Sequence, residues 1–279
     1  MHQWVELILL FFIYSFIGWL WETVYCSLKA DRFVYRGFLA GPYCPIYGFG
    51  ILGVLYFLEP FKNNLILLYF LSAILVSVLE YLTSYFLEKM FHASWWDYKD
   101  VPLNINGRVA LPVSAFWGIA CVVVVQSIHP RVMILANFLE ERFRWGLPVV
   151  LLVILAADMI YTVTNMQQFR KITDELNEVL EKRAKELSAA MLERGEAFAA
   201  ELNELRQSVE KELSVKITKH QTFFDELRKN TAIDQRLKRL NFSQRRWIKN
   251  YPKLKLNTLN NSETVKGLVR SVKNKKEKM

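Results

Sequence analysis

The chain has 279 residues, 52% of them hydrophobic and 23% charged, with a formal net charge of +9. Residues 1–166 carry 10 Lys/Arg against 11 Asp/Glu, whereas residues 167–279 carry 26 against 16. A mean hydropathy near zero therefore averages a membrane-type half with a solvated half, and the length leaves no room for a second large catalytic domain.

The counts also narrow the chemistry. Cys26, Cys44 and Cys121 are odd in number and lack CxxC spacing, and the four histidines are scattered at 2, 92, 129 and 220 without an HExxH pattern. Neither a disulfide framework nor a metal centre is expected. No GxxxxGK[ST] loop occurs, so hydrolysis of ATP by such a loop is not expected of this chain, and no cofactor is implied. Gly48, Gly50 and Gly53 spell GxGxxG, but inside an apolar segment rather than at a strand-to-helix turn, which reads as close helix packing.

A helix needs about 20 apolar residues to cross the hydrocarbon core. Five segments qualify in chain order: Val5 to Tyr25, Pro42 to Leu58, Leu65 to Leu87, Leu111 to Ile128 (ended by His129-Pro130), and Leu147 to Met166. The first lacks a basic flank and a small-residue cleavage site, so it reads as a retained span. An all-α, polytopic helical bundle follows, with residues 1–166 as its transmembrane domain. Lys29, Arg32 and Arg36 in the first connection, Lys89, Lys99 and Arg108 in the third, and the basic C-terminal part place the N-terminus outside and the C-terminus in the cytoplasm. Arg131, Arg142 and Arg144 run against that rule. The stretch from Val132 to Phe143 reads as an interfacial amphipathic helix on the outer leaflet.

Carboxylates at membrane depth are costly and face protein or water. Apart from Glu6 at the very start of the first, Glu22, Glu80 and Asp158 are the carboxylates in the predicted spans. Each reads either as part of a polar pathway or as a structural group bonded to neighbouring helices; for Asp158, packing with a hydrogen bond fits better. Gly37, Gly41, Pro42, Pro45, Tyr47 and Gly48 mark a broken entry to the second span, because proline removes donors and clashes with the preceding turn. Irregular backbone at this depth survives only against protein or a cavity. The connection from His92 to Arg108 mixes aromatic and polar residues on the same predicted side. Glu22, Arg36, Glu88, Asp97 and Arg108 are therefore expected to converge in one charge network.

These blocks carry a resemblance. Tyr14-Ser15-Phe16-Ile17-Gly18-Trp19 with Glu22, Arg36-Gly37-Phe38-Leu39, Gly41-Pro42-Tyr43-Cys44-Pro45-Ile46-Tyr47-Gly48, Glu80-Tyr81-Leu82-Thr83-Ser84, Glu88, Trp96-Asp97-Tyr98 and Asn104-Ile105-Asn106-Gly107-Arg108 resemble the CmpB-like family of bacterial integral membrane proteins. The vertebrate transmembrane protein 229 group resembles it as well. The likeness covers about residues 5–130. It implies an ABC-transporter permease of type IV in the bacterial plasma membrane, of unknown substrate, energised by a separate ATPase subunit.

From Phe169 to about Lys229 no proline interrupts, and apolar or small residues recur every 3.6 positions or so. About 60 residues at 1.5 Å each give a rod of about 90 Å. Residues 167–235 read as this cytoplasmic rod, coiled-coil-like, whose apolar stripe calls for self-association or another helix. Residues 236–279 form a basic, partly disordered tail with 14 Lys/Arg and two Glu. Arg245, Arg246, Trp247 and Lys249 are read as contacts to anionic lipid; attachment to a bilayer makes nucleic acid the less simple partner. Two alternatives to transport stand beside it: a membrane scaffold or assembly factor acting through the rod, and, with less support, a membrane-embedded enzyme using Glu22, Glu80 or Asp97.

Overall fold

The computed structural model describes residues 3–202, 239–251 and 255–256. Residues 1–166 and 250–256 form one compact unit and residues 167–249 and 257–279 another.

In the first unit, helix α1 (Gln3–Ala30) ends where Asp31 turns to a φ of 48°, a left-handed conformation that aspartate tolerates. Helix α2 (Pro45–Phe57) begins with proline in its first turn, where a missing N–H leaves no helical bond unmade. Helix α3 (Leu65–Phe91) is capped by Asn64, whose side-chain oxygen accepts the Leu67 N–H at 3.1 Å, and ends at left-handed His92. Two-residue strands follow: β1 (Ala93–Ser94), β2 (Asn104–Ile105) and β3 (Val109–Ala110). Strands β2 and β3 pair through Ile105 and Val109 around Asn106 (φ 54°) and Gly107 (φ 68°), with the Arg108 N–H on the Ile105 carbonyl at 3.0 Å. Two positive φ values at Asn-Gly are those of a type I′ turn.

Helix α4 (Leu111–Val123) passes through a π-helical turn (Val124–Ile128) into α5 (His129–Phe143). Helix α6 runs over Gly146–Leu202. Among the described residues, four helical stretches are long and apolar enough to cross a membrane: Gln3–Ala30, Leu65–Phe91, Leu111–Phe143 and Gly146–Glu175.

The structure adds detail to the sequence reading of this unit and moves one boundary. The second predicted span is only partly helical, since α2 has 13 residues, or about 20 Å, against a hydrocarbon core of about 30 Å. Its first residue is fixed by the Cys44 N–H bonding the Ser15 carbonyl at 2.9 Å, so α2 starts level with the middle of α1. Residues 31–44 supply the rest of the length without helix, as Gly41-Pro42 and Pro45 require. His129-Pro130 does not end the fourth span either, because the widened π turn absorbs the proline at the start of α5. Helix α5 packs on α1 through Val132 and Ala136 against Leu10 and Tyr14, and its Leu135 and Phe138 are exposed.

The helices pack closely where small residues permit. A Cβ on Gly48 would lie 2.7 Å from the Phe11 carbonyl oxygen, and one on Gly18 2.2 Å from the Tyr47 ring. Gly118 lets α4 approach Tyr69 of α3, and Ser77 and Ser114 bond between the same two helices at 2.6 Å. Ser15 and Ser72 are wholly buried while Ile66, Ile74 and Ile160 are more than 60% exposed. That inverted pattern suits lipid, where an outward apolar side chain costs nothing and a polar group must turn inward.

Helix α7 (Phe242–Asn250), of which residues 242–249 belong to the second unit, opens on a reciprocal cap. Asn241 Oδ1 accepts the Gln244 N–H and Gln244 Oε1 accepts the Asn241 N–H, both at 3.0 Å. The Trp247 indole is fully buried, edge-on to Phe169. The expected rod lies on α6 only as far as Leu202; residues 203–235, with most of the basic tail, lie outside the described residues.

Candidate functional site

The last third of α1, the segment 31–44, the C-terminal half of α3 and the β-hairpin come together at one end of the bundle. Thr23 and Trp19 set the path of the segment: Thr23 Oγ1 accepts the Arg36 N–H at 3.4 Å, and the Trp19 indole N–H donates to the Arg36 carbonyl at 3.0 Å. The Arg36 side chain is thereby turned onto Glu22, with Nε at 2.9 Å and Nη2 at 2.6 Å from the same oxygen, Oε1. The Cys44 thiol lies 3.9 Å from the other oxygen. Arg36 Nη1 donates to the Asn250 carbonyl at 2.8 Å, and its guanidinium lies 4.0 Å over the Tyr251 ring. A half-buried guanidinium with a carboxylate, a carbonyl and an aromatic face is well compensated.

Deeper in, the irregular backbone is held from α6. Asp158 accepts the Ala40 N–H at 2.9 Å, the Gly41 N–H at 2.7 Å, the Tyr43 hydroxyl at 2.6 Å and the Thr162 hydroxyl at 3.0 Å. Two successive backbone N–H groups converging on a carboxylate make an anion-holding nest. Pro42 sits in a tight turn closed by the Tyr43 N–H on the Gly41 carbonyl. Gly41 has no substitute there, since a Cβ would lie 2.3 Å from the Tyr43 ring. Asp158 thus acts on backbone donors that would otherwise be stranded among apolar helices.

Glu80 is buried on α3. Its Oε1 accepts the Tyr98 hydroxyl at 3.0 Å, and its Oε2 has no hydrogen-bond partner among the described residues. Burial first, and the Glu80 carboxylate second, push the Tyr98 phenol well above the usual tyrosine range, so it remains a donor.

Of the five residues expected in one network, Glu22 pairs with Arg36, and Glu88 pairs with Arg108 at 2.6 Å. Arg108 also lies over the Tyr81 and Tyr85 rings. Asp97 Oδ1 accepts the Lys99 N–H at 2.9 Å within its own loop. Tyr47, packed edge-on to Trp117, and Gly48 belong to the α1–α2 contact, and Gly37 takes a φ of 98° that turns its N–H onto the Tyr251 hydroxyl at 2.8 Å. In the basic tail, Arg245 and Lys249 are exposed, while Arg246 and Trp247 are buried, which removes the Trp247 indole from any outer surface.

Sequence reading passed over Thr23, Trp95, Asn250 and Tyr251 as site residues. Tyr98 and Trp95 sit in a stretch singled out for its aromatic-polar mixture, which was the available signal. Nothing local marks Asn250 as a partner of Arg36.

A family profile described as "Putative ABC-transporter type IV" matches residues 9–163. Comparisons with curated proteins and with solved structures each returned no match. The matched region takes in Glu22, Arg36, the proline-broken entry, Glu80, the hairpin and Asp158, more than half of the chain, and the protein belongs to this CmpB-like family.

Proposed function

We propose that the chain is the membrane-embedded permease component of a transporter in a bacterial plasma membrane, working with a separate ATPase subunit. The observation that carries the reading is the half-length helix α2 with its non-helical entry, residues 31–44, beside the Glu22–Arg36 pair. Polar backbone placed level with the middle of α1 is the arrangement by which transporters hold ligands inside a bilayer. Glu80 adds a buried carboxyl oxygen facing the same end. In this reading Glu22, Arg36 and Glu80 line the path, Asp158 holds its backbone wall, and Arg108 with Glu88 braces the hairpin. The C-terminus is cytoplasmic, where Arg245 and Lys249 meet anionic headgroups and the rod self-associates.

The test is purification from native membranes in mild detergent. A stoichiometric partner bearing a phosphate-binding loop, with vanadate-sensitive ATP hydrolysis in the complex, supports the reading. Repeated purification of the intact chain without any ATPase overturns it. The length of α6 favours a second reading, a scaffold acting through residues 167–235; deleting 167–279 separates the two, because only a scaffold loses all partners by it.

A further inference from the structure

The last residue of α7 and the one that follows it are bound at the charged centre. Asn250 and Tyr251 are both buried and together contact Arg36 from two directions: the Asn250 carbonyl accepts from Nη1 and the Tyr251 ring lies under the guanidinium. Tyr251 also accepts the Gly37 N–H at 2.8 Å and packs edge-on to Trp95 at 5.0 Å. Asn250 Nδ2 donates to the Tyr35 carbonyl at 2.9 Å, and Arg32 donates to Asn250 Oδ1 at 3.4 Å. Strand β4 (Lys255–Leu256) then pairs antiparallel with β1, Ser94 opposite Lys255 and Ala93 opposite Leu256. Backbone pairing plus a pocketed aromatic side chain is how sheet-edge sites bind extended peptides.

We propose that Asn250, Tyr251 and β4 form an intramolecular strap that closes the mouth of the charged centre, and that the centre opens when the strap leaves. The inference rests on the reading of Glu22 and Arg36 as path-lining groups, and concerns what regulates access to them. Chemistry at the strap is of the releasable kind. Its anchors are hydrogen bonds, a cation–π contact and a two-residue ladder, with no ion pair among the contacts just named, so each is modest and they act together. Arg36 faces two competing sets of partners, Glu22 on one side and the strap on the other. Loss of the strap leaves the Glu22–Arg36 pair intact but uncovers Gly37 and, behind it, Cys44, whose sulfur is 3.3 Å from the position of a Gly37 Cβ.

Cys44 is a built-in reporter. In full-length protein carrying Cys26→Ala and Cys121→Ala, in native membranes, Cys44 labelling by a small water-soluble maleimide is measured by mass spectrometry. Tyr251→Ala is expected to raise the labelling rate about tenfold, equivalent to about 1.4 kcal/mol of strap closure. Oxidation of a Ser94→Cys/Lys255→Cys pair, opposite each other in the ladder, is expected to lower it below the parent, with reductant restoring it. Equal rates in parent, Tyr251→Ala and oxidised double-cysteine proteins overturn the strap, as does a parent already labelled at the Tyr251→Ala rate. Should Tyr251→Ala fail to insert, the oxidised against reduced comparison still decides. This readout needs no ATPase, so its failure leaves the transporter reading standing, and absence of an ATPase leaves the strap standing.

Discussion

Asp158→Ala removes the single acceptor for the Ala40 and Gly41 N–H groups and for the Tyr43 and Thr162 hydroxyls. Tyr43 and Thr162 have other recourse: a hydroxyl rotates, and the Thr162 side chain can bond back to its own helix. The two backbone donors do not, because Pro42 and the Tyr43 ring fix the turn that presents them. Side-chain hydrogen bonds in membrane helices average about 0.6 kcal/mol, with a maximum near about 1.7. A buried donor left unpaired costs about 1–3 kcal/mol; with Gly41 half-buried and Ala40 exposed, Asp158→Ala is expected to cost about 1–3 kcal/mol in all. Asp158→Asn keeps one acceptor oxygen and gives roughly half as much. Thr162→Ala, losing one of four bonds, stays under about 1 kcal/mol. Reversible unfolding by SDS in mixed micelles ranks the three. Wild-type stability in Asp158→Ala, or a Thr162→Ala effect as large, would refute the assignment of Asp158 as the anchor of the entry segment.

Further outcomes follow from other contacts. Gly48→Ala drives a Cβ against the Phe11 carbonyl and the Ser15 hydroxyl, so it is expected to destabilise the α1–α2 pair by about 1–3 kcal/mol, whereas Gly146→Ala, with open space around it, is neutral in the same titration. Arg36→Ala is expected to cost more than Arg108→Ala, about 2–3 against about 1 kcal/mol, since Arg36 satisfies a carboxylate, a carbonyl and a ring at once; equal losses in a thermal-shift series contradict that order. Glu80→Gln keeps an acceptor for Tyr98 and is expected to fold and insert like the parent, while abolishing transport; an active Glu80→Gln protein removes Glu80 from the path. Gly107→Val meets both a positive φ and the Asp97 carboxylate 2.7 Å from its Cβ, and is expected to open the hairpin, seen as faster amide exchange at Tyr98 and Arg108.

The legible part of this fold is what hydropathy and backbone chemistry dictate locally. Apolar length alone located α1, α3, α4 and the start of α6. Gly41-Pro42 and Pro45 announced that the second crossing would not be a regular helix, whereas the hairpin turn at Asn106-Gly107 was not read from the sequence. For Asp158 the sequence favoured packing with a hydrogen bond, and in the structure its carboxylate accepts from two backbone N–H groups and two hydroxyls. Less visible was how far α2 falls short, because Ile46 to Leu58 is apolar enough to pass for a span and only the Cys44–Ser15 bond sets its depth. Proline at 130 misled for a physical reason: a π turn supplies the extra residue that lets the chain continue. The five-membered charge network was an expectation from charge and predicted side, and side alone does not decide pairing. Glu22 and Glu88 each take one arginine, while Glu80 takes a phenol. Tyr251 lay beyond any local signal, since its partners Arg36, Gly37 and Trp95 are more than 150 positions away.

The central claim is that the Glu22–Arg36 centre and the entry segment it borders couple a ligand path to ATP turnover. Purified complex in lipid vesicles, parent against Glu22→Gln and Arg36→Gln, tests it most directly. Both variants are predicted to assemble with the ATPase yet lose most of the vesicle-dependent ATP hydrolysis. Parental turnover in both assembled variants would contradict the account.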